Sequence, residues 1–175
     1  MKNPYNTHEE ILKSELSLII NDNAKILEFG TGEGSAPIFN NHAKLNSSHK
    51  IIAYESDIIF YNNTKAKYEL SNYTFVNADA PTETDETVYD LIFIDQAPWK
   101  ARIDSLNVFK DYAKTIIVHD YDFFNEGYHD CSVEENSWWY DTYGKEFKLK
   151  GFSKPSVNPW WPPTLVMKRL EDINS

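Results

Sequence analysis

The sequence predicts an α/β fold in which a mostly parallel sheet carries helices on both of its faces. Short apolar segments of strand length alternate with longer segments of helical periodicity. Strands that are apolar throughout are typical of a parallel sheet buried on both sides. A glycine-rich turn follows the first strand, and polar residues follow the later parallel strands. We therefore expect functional groups at the carboxyl edge of the sheet, where ligands bind in such folds.

Hydrophobic periodicity and turn residues place the individual elements. The predicted order is helix 7–20, strand 24–29, helix 36–45, strand 50–54, helix 57–70, strand 73–77, strand 89–94, helix 101–112 and strand 115–118. A helix over 132–143 and strands over 146–152 and 164–168 complete the pattern, and we expect those two strands to close a seven-stranded sheet as an antiparallel pair. The proline- and tryptophan-rich segment 154–163 between them is too rich in proline for regular structure.

The composition favours a protein that acts on small molecules. The chain has 175 residues, which is consistent with one domain over 1–175 that includes an N-terminal helix within 1–22. Its formal charge of −10 disfavours nucleic acid, since phosphate binding needs clustered Lys and Arg. A single cysteine, Cys131, argues against disulfides and zinc–cysteine clusters. No apolar run approaches the ~20 residues of a membrane span, so we expect a soluble, cytoplasmic protein with no membrane contact. The sequence predicts no oligomeric state.

The turn after the first strand is the strongest local signal. Glycine occupies alternate positions at Gly30, Gly32 and Gly34. Glycine adopts positive φ without strain and lets a ligand approach the backbone closely. We expect Ser35 to cap the helix that follows, whose first N–H groups and dipole would then face a polar ligand.

Polar residues also end the next four predicted strands. Glu55 follows the second strand and Asp79 the third; Asp95 follows the fourth, and His119 with Asp120 the fifth. Caps and solvated turns could explain one acid after one strand. The repetition at every strand instead predicts a cleft along the carboxyl edge.

The glycine turn and the strand ends together resemble a known family. The dinucleotide fingerprint requires a glycine where this chain has Ser35. The acid Glu28 followed by glycine at every second position is instead similar to motif I of class I S-adenosylmethionine-dependent methyltransferases, and the resemblance extends over residues 24–169.

The resemblance implies a cofactor site for S-adenosylmethionine. Gly30, Gly32 and Gly34 are expected under the methionine part, Glu55 at the ribose hydroxyls, and Asp79 with Ala80 at the adenine. The further residues expected at the cofactor are Glu28, Thr31, Ser35, Ser56 and Asp95. A carboxylate suits the ribose because it accepts two hydrogen bonds at once. For Glu28, two roles stay open: holding the glycine loop, or reaching the amino group of the cofactor.

The segment from Asp90 to Arg102 is similar to small catechol-type O-methyltransferases. This resemblance implies that Asp95 and Asp120 bind Mg²⁺ or another divalent cation and that Lys100 acts as a base. Two residues intervene before Trp99, and Tyr121 stands where the family has an asparagine ligand. The third ligand therefore stays open between His119 and Asp122, as does a site without metal. His119 beside Asp120 is an alternative general base.

The expected reaction is methyl transfer to an oxygen of a small molecule. Four tryptophans could wall an aromatic acceptor or could pack the domain: Trp138, Trp139, Trp160 and Trp161. Residues 95–99 faintly resemble the substrate motif of amino-methyltransferases, which leaves an N-methyltransferase as an alternative. A non-catalytic cofactor-binding or partner-binding protein and a nicotinamide-dependent oxidoreductase are the further alternatives.

Overall fold

Seven strands form one sheet in the order β3-β2-β1-β4-β5-β7-β6 in this computed structural model, which describes residues 7–120, 152, 156–157 and 164–170. The strands are β1 (Lys25–Phe29), β2 (Lys50–Tyr54), β3 (Tyr73–Val76), β4 (Tyr89–Ile94), β5 (Ala113–His119), β6 (Ser156–Val157) and β7 (Thr164–Lys168). β1 to β5 pair in parallel, while β7 runs antiparallel to both β5 and β6. The predicted fold class is confirmed.

Helices cover both faces of this sheet. They are α1 (Glu9–Ser17), α2 (Ala36–Leu45), α3 (Ile58–Tyr68) and α4 (Trp99–Phe109), the last followed by a 3₁₀ turn over Lys110–Tyr112. Successive strand residues point to opposite faces. Thus Ile26 and Phe93 pack in a core with residues of α1 and α2, such as Leu12 and Phe39. Residues of α4 pack in the second core with β1, β4, β5 and β7.

Two boundaries at the end of the chain differ from the prediction. The two-residue β6 lies at Ser156–Val157, inside the segment 154–163 that was predicted to be irregular. Prolines flank this pair, but both of its residues keep an N–H group for the ladder with β7. Of the strand predicted over 146–152, the described residue Phe152 forms an antiparallel bridge to Arg169. The predicted helix over 132–143 lies outside the described residues.

Hydrogen bonds continue past the strand ends and align the carboxyl edge. The Gly30 N–H donates to the Tyr54 carbonyl at 2.9 Å, and the Asp95 N–H donates to the Phe29 carbonyl at 2.7 Å. The Glu55 N–H donates in the same way to Val76 at 3.0 Å. The glycine turn, Glu55 and Asp95 are therefore held on one edge. Among the described helices, none is both long and apolar enough to cross a membrane.

Candidate functional site

Two glycines of the turn, Gly30 and Gly32, face different surroundings. Gly30 has φ +83°, and a Cβ there would lie 2.6 Å from the Asp95 carbonyl oxygen. The end of β4 therefore requires glycine at this position, whether or not a ligand binds. At Gly32, a Cβ would meet no heavy atom closer than the Gly34 nitrogen at 4.0 Å. The open side of the loop is thus at Gly32, where a bound molecule can approach the backbone.

The side chain of Glu28 stabilises the glycine loop through hydrogen bonds. Its buried carboxyl accepts hydrogen bonds from the Ser35 hydroxyl at 2.6 Å and from the Tyr73 hydroxyl at 2.5 Å. Burial raises the pKa of Glu28 to about 8, against the opposing effect of these two hydrogen bonds. The contacts tie the start of α2 and β3 to β1, which favours the loop-holding role.

The predicted capping role of Ser35 is wrong. Its side chain makes no cap hydrogen bond to the helix, because the hydroxyl donates to Glu28 instead. A buried carboxyl group without hydrogen-bond donors costs more free energy than a helix N-terminal N–H without this side-chain acceptor. The first turn is closed by the backbone, where the Ala36 N–H donates to the Gly32 carbonyl at 3.0 Å.

Glu55 is joined to the glycine loop. Its Oε2 accepts from the Thr31 N–H at 2.9 Å, and its Oε1 accepts from the Asp57 N–H at 2.8 Å. The side chain of Thr31 contacts Thr64 of α3 at 3.1 Å. A carboxylate can accept about four hydrogen bonds. The half-buried Glu55 therefore keeps acceptor capacity beside the open side of the loop.

The remaining residues predicted at the cofactor lie further along the same edge. Ser56 and Asp79 are exposed, and Ala80 packs partly against the core beneath β4 and β5. The Asn77 side chain donates to the Glu55 carbonyl at 2.8 Å and so fastens the segment after β3 to the end of β2.

Asp95, Arg102, His119 and Asp120 form an ionic cluster at the ends of β4 and β5. His119 Nδ1 lies 3.0 Å from Asp95 Oδ1 and 3.3 Å from Asp120 Oδ1. The guanidinium of Arg102 lies 3.0 Å from Asp95 Oδ1 and 3.4 Å from Asp120 Oδ2. The structure therefore brings together three residues that the sequence analysis selected.

The two carboxyl groups of this cluster have pKa values shifted in opposite directions. Burial alone would raise the pKa of Asp95, but the neighbouring His119 ring and Arg102 guanidinium outweigh it and hold this pKa below its ordinary value. Burial raises the pKa of Asp120, and the charge of Asp95 adds to the rise. Asp120 also has a left-handed backbone, with φ +53°.

Arg102 is more central than the sequence indicated. Besides both carboxylates, its guanidinium binds backbone carbonyls: Nη1 donates to His119 at 2.5 Å and Nε donates to Gln96 at 2.7 Å. Its side chain is 6% exposed. The sequence does contain one signal for this role: Arg102 is a basic residue near the start of α4, the helix that follows β4 and Asp95.

His8 is a member of the site that the sequence analysis missed. It is 1% exposed, and its ring centroid lies 4.5 Å from that of His119 and 5.1 Å from that of Phe93. Neither ring nitrogen has a hydrogen-bond partner among the described residues. Burial, and then the neighbouring His119, lower the pKa of His8 to about 4. No local pattern marks this histidine, because the chain fold alone brings it to the cluster.

Lys100 is exposed, and its ammonium group pairs with Asp104 at 2.7 Å on the same helix. The structure gives it no described contact with Asp95, His119 or Asp120. Tyr121, Asp122 and the four tryptophans at 138, 139, 160 and 161 lie outside the described residues.

No protein-family profile matches the sequence, and no curated protein matches it. Solved structures are similar in fold. A Corynebacterium glutamicum protein has a TM-score of 0.60 and 12% identity, with 91% of this chain and 79% of that chain covered. An S-adenosylmethionine-dependent O-methyltransferase from Thermotoga maritima has a TM-score of 0.58 and 14% identity, with 97% and 66% covered.

A 23S rRNA methyltransferase is also similar, with a TM-score of 0.54 and 16% identity over 91% of this chain and 67% of that chain. The chain has the methyltransferase fold. At these identities the likeness concerns the fold, and the solved methyltransferases with this fold include one named for an O-methyl product and one for rRNA.

Proposed function

We propose that this chain binds S-adenosylmethionine at the carboxyl edge and transfers its methyl group to an oxygen of a small-molecule acceptor. The observation that carries the proposal is the pairing of Glu55 with the glycine loop, 2.9 Å from the Thr31 N–H and beside the open side of Gly32. A ligand over this loop would meet backbone groups and a carboxylate with free acceptor capacity, as a ribose next to a charged amino-acid part requires.

Different residues of the carboxyl edge would bind different parts of the cofactor. The backbone from Gly30 to Ser35 would hold the methionine part, Glu55 with Ser56 the ribose hydroxyls, and Asp79 with Ala80 the adenine. Glu28 would stabilise the loop through Ser35 and Tyr73. Bound S-adenosylmethionine supplies an activated methyl group, so the protein has mainly to orient the acceptor and remove its proton.

His119, the alternative general base, contacts Asp95 through Nδ1 at 3.0 Å and Thr7 through Nε2 at 2.9 Å. Both of its ring nitrogens are therefore engaged, and we assign the role of general base to no described residue. Lys100, the other candidate base, is engaged with Asp104. The formal charge of −10 supports a small-molecule acceptor over RNA, although the fold also serves an rRNA methyltransferase.

The residues do not fit the Mg²⁺ site that the catechol-type resemblance implies. Mg²⁺ requires near-octahedral oxygen ligands. Here the groups nearest the carboxylates of Asp95 and Asp120 are the Arg102 guanidinium and a ring nitrogen of His119, and neither supplies an oxygen ligand. We therefore assign no step of the reaction to Mg²⁺.

Calorimetric titration of S-adenosylmethionine and S-adenosylhomocysteine tests the binding site. We expect binding to wild type and at least about tenfold weaker binding to Glu55→Ala, since two hydrogen bonds to a carboxylate are lost. Glu69→Ala is the matched control: this exposed glutamate follows the far end of α3 and pairs with Lys65. Folded wild type that binds neither compound would refute the proposal; NAD then becomes the next ligand to titrate. Binding without methyl transfer to any acceptor would favour the non-catalytic alternative.

A further inference from the structure

A buried histidine beside the ends of β4 and β5 lacks hydrogen-bond partners among the described residues. Both ring nitrogens of His8 are in this state, and the nearby Asp120 Oδ1 makes no hydrogen bond there, although His119 Nδ1 lies 3.3 Å away. His8 approaches the backbone of Gly34, but not in hydrogen-bond geometry. Buried polar groups in native proteins are ordinarily satisfied, so the unmatched nitrogens of His8 point to a missing partner.

Three side chains at this site bring atoms that could bind a metal ion close together. One nitrogen or oxygen each from His8, Asp95 and His119 lies within 4.8 Å of the others. In a tetrahedral site with ligands ~2.1 Å from the metal, neighbouring ligand atoms are about 3.4 Å apart. Shifts of about 1 Å in these side chains would therefore close the group around one ion.

We infer that His8, Asp95 and His119 bind a divalent transition-metal ion of the zinc class beside the glycine loop. Two imidazoles and one carboxylate form a donor set that suits Zn²⁺, whereas Mg²⁺ and Ca²⁺ prefer oxygen alone. The fourth position is left to Asp120 Oδ1, which lies 3.3 Å from His119 Nδ1, or to a water or acceptor oxygen.

The surrounding contacts orient the three ligands. The Thr7 hydroxyl lies 2.9 Å from His119 Nε2 and can accept its proton, which would leave Nδ1 free for the metal. Arg102 contacts Asp95 through Oδ1, and the carboxylate has a second oxygen as well as further lone pairs for a metal. Outer partners of this kind commonly hold metal ligands in place.

If the cluster served only to hold the N-terminal segment through the contact of Thr7 with His119, the two buried ring nitrogens of His8 would have no role there.

The test is titration of chelator-treated protein with Zn²⁺ by calorimetry and with Co²⁺ by its visible d–d absorption, both without S-adenosylmethionine. We expect one ion per chain, much weaker binding of Mg²⁺, and Co²⁺ bands typical of a low-coordinate site. His8→Phe keeps a ring beside Phe93 and removes both nitrogens, so the variant should fold. Its affinity for Zn²⁺ should fall at least about 100-fold.

The matched control is His42→Gln. His42 is another buried histidine, paired with His49 at 3.0 Å on the α2 side of the molecule, and its replacement should leave Zn²⁺ affinity within about twofold. Absence of Zn²⁺ binding in folded wild type, unchanged binding in His8→Phe, or loss of binding in the control would overturn the inference. Because S-adenosylmethionine is absent, these outcomes do not depend on whether the proposed cofactor site binds it.

Discussion

Glu28 couples the glycine loop to pH. It is a fully buried acid whose two hydroxyl partners, Ser35 and Tyr73, belong to α2 and β3. Its pKa rises from 4.5 to about 8 on folding because burial disfavours the charged form. Between these values the folded protein binds a proton that the unfolded chain releases, so Glu28 makes the free energy of unfolding fall as pH rises. Above pH 8 the carboxyl is ionised in both states and the decline ends.

Glu28→Gln should remove this decline. The amide can accept from Tyr73 and donate to Ser35, so the variant keeps both contacts without an ionisable group. Relative to wild type, it should gain of order 1 kcal/mol or more between pH 6.5 and pH 8.5. Urea unfolding of both proteins at the two pH values measures this. His8 and His42, whose pKa values are lowered to about 4, cancel in the difference. Parallel pH dependence of the two proteins would show that Glu28 does not titrate in this range.

Residues of the site differ in how far the sequence could predict them. Asp95, His119 and Asp120 were predictable as neighbours because each ends a strand, and parallel strands end on one edge. His8 and Arg102 were not, since their positions depend on where α1 and α4 pack. The contact between Thr7 and His119 joins residues 112 positions apart. Ser35 was mispredicted because a capping rule considers the helix alone, whereas the competing acceptor Glu28 lies on β1.

At the scale of elements, the turn between β1 and α2 has two distinct requirements. Gly30 meets a steric demand from the end of β4, with a positive φ and no room for a Cβ. Gly32 has no such demand and borders open space. The same repeat of glycines thus serves chain packing at one position and ligand approach at another.

Alanine substitutions at Gly30 and Gly32 should separate these requirements. Gly30→Ala should lower the free energy of unfolding by about 3 kcal/mol or more, because the left-handed backbone and the 2.6 Å contact with the Asp95 carbonyl both oppose a methyl group. Gly32→Ala should cost less than about 1 kcal/mol in stability but should weaken S-adenosylhomocysteine binding, since its Cβ projects where the ligand would lie. Urea unfolding and calorimetry measure the two effects. A stable Gly30→Ala, or a Gly32→Ala with wild-type affinity, would contradict this division.

At the scale of the whole molecule, the parallel sheet with helices on both faces was inferred from strands that are apolar throughout and from their alternation with helices. This prediction was possible because burial on both faces leaves an apolar pattern in each strand by itself. The position of β6 did not follow, since a two-residue strand between prolines has too little pattern to detect. The acceptor is not encoded in the sheet either, because the same fold serves different methyl acceptors in the solved structures.

If the carboxyl edge of this sheet is an S-adenosylmethionine site, S-adenosylhomocysteine should change the amide chemical shifts of the residues along it. We expect shifts that saturate with ligand and concentrate at residues 30–35, at 55–57 and at 79–80. An alternative location is the cavity of about 610 Å³ between α1 and α2, lined by residues such as Lys13, Ile38 and Leu45. Shifts confined to that cavity, or no shifts in the folded protein, would show that the carboxyl edge is not an S-adenosylmethionine site.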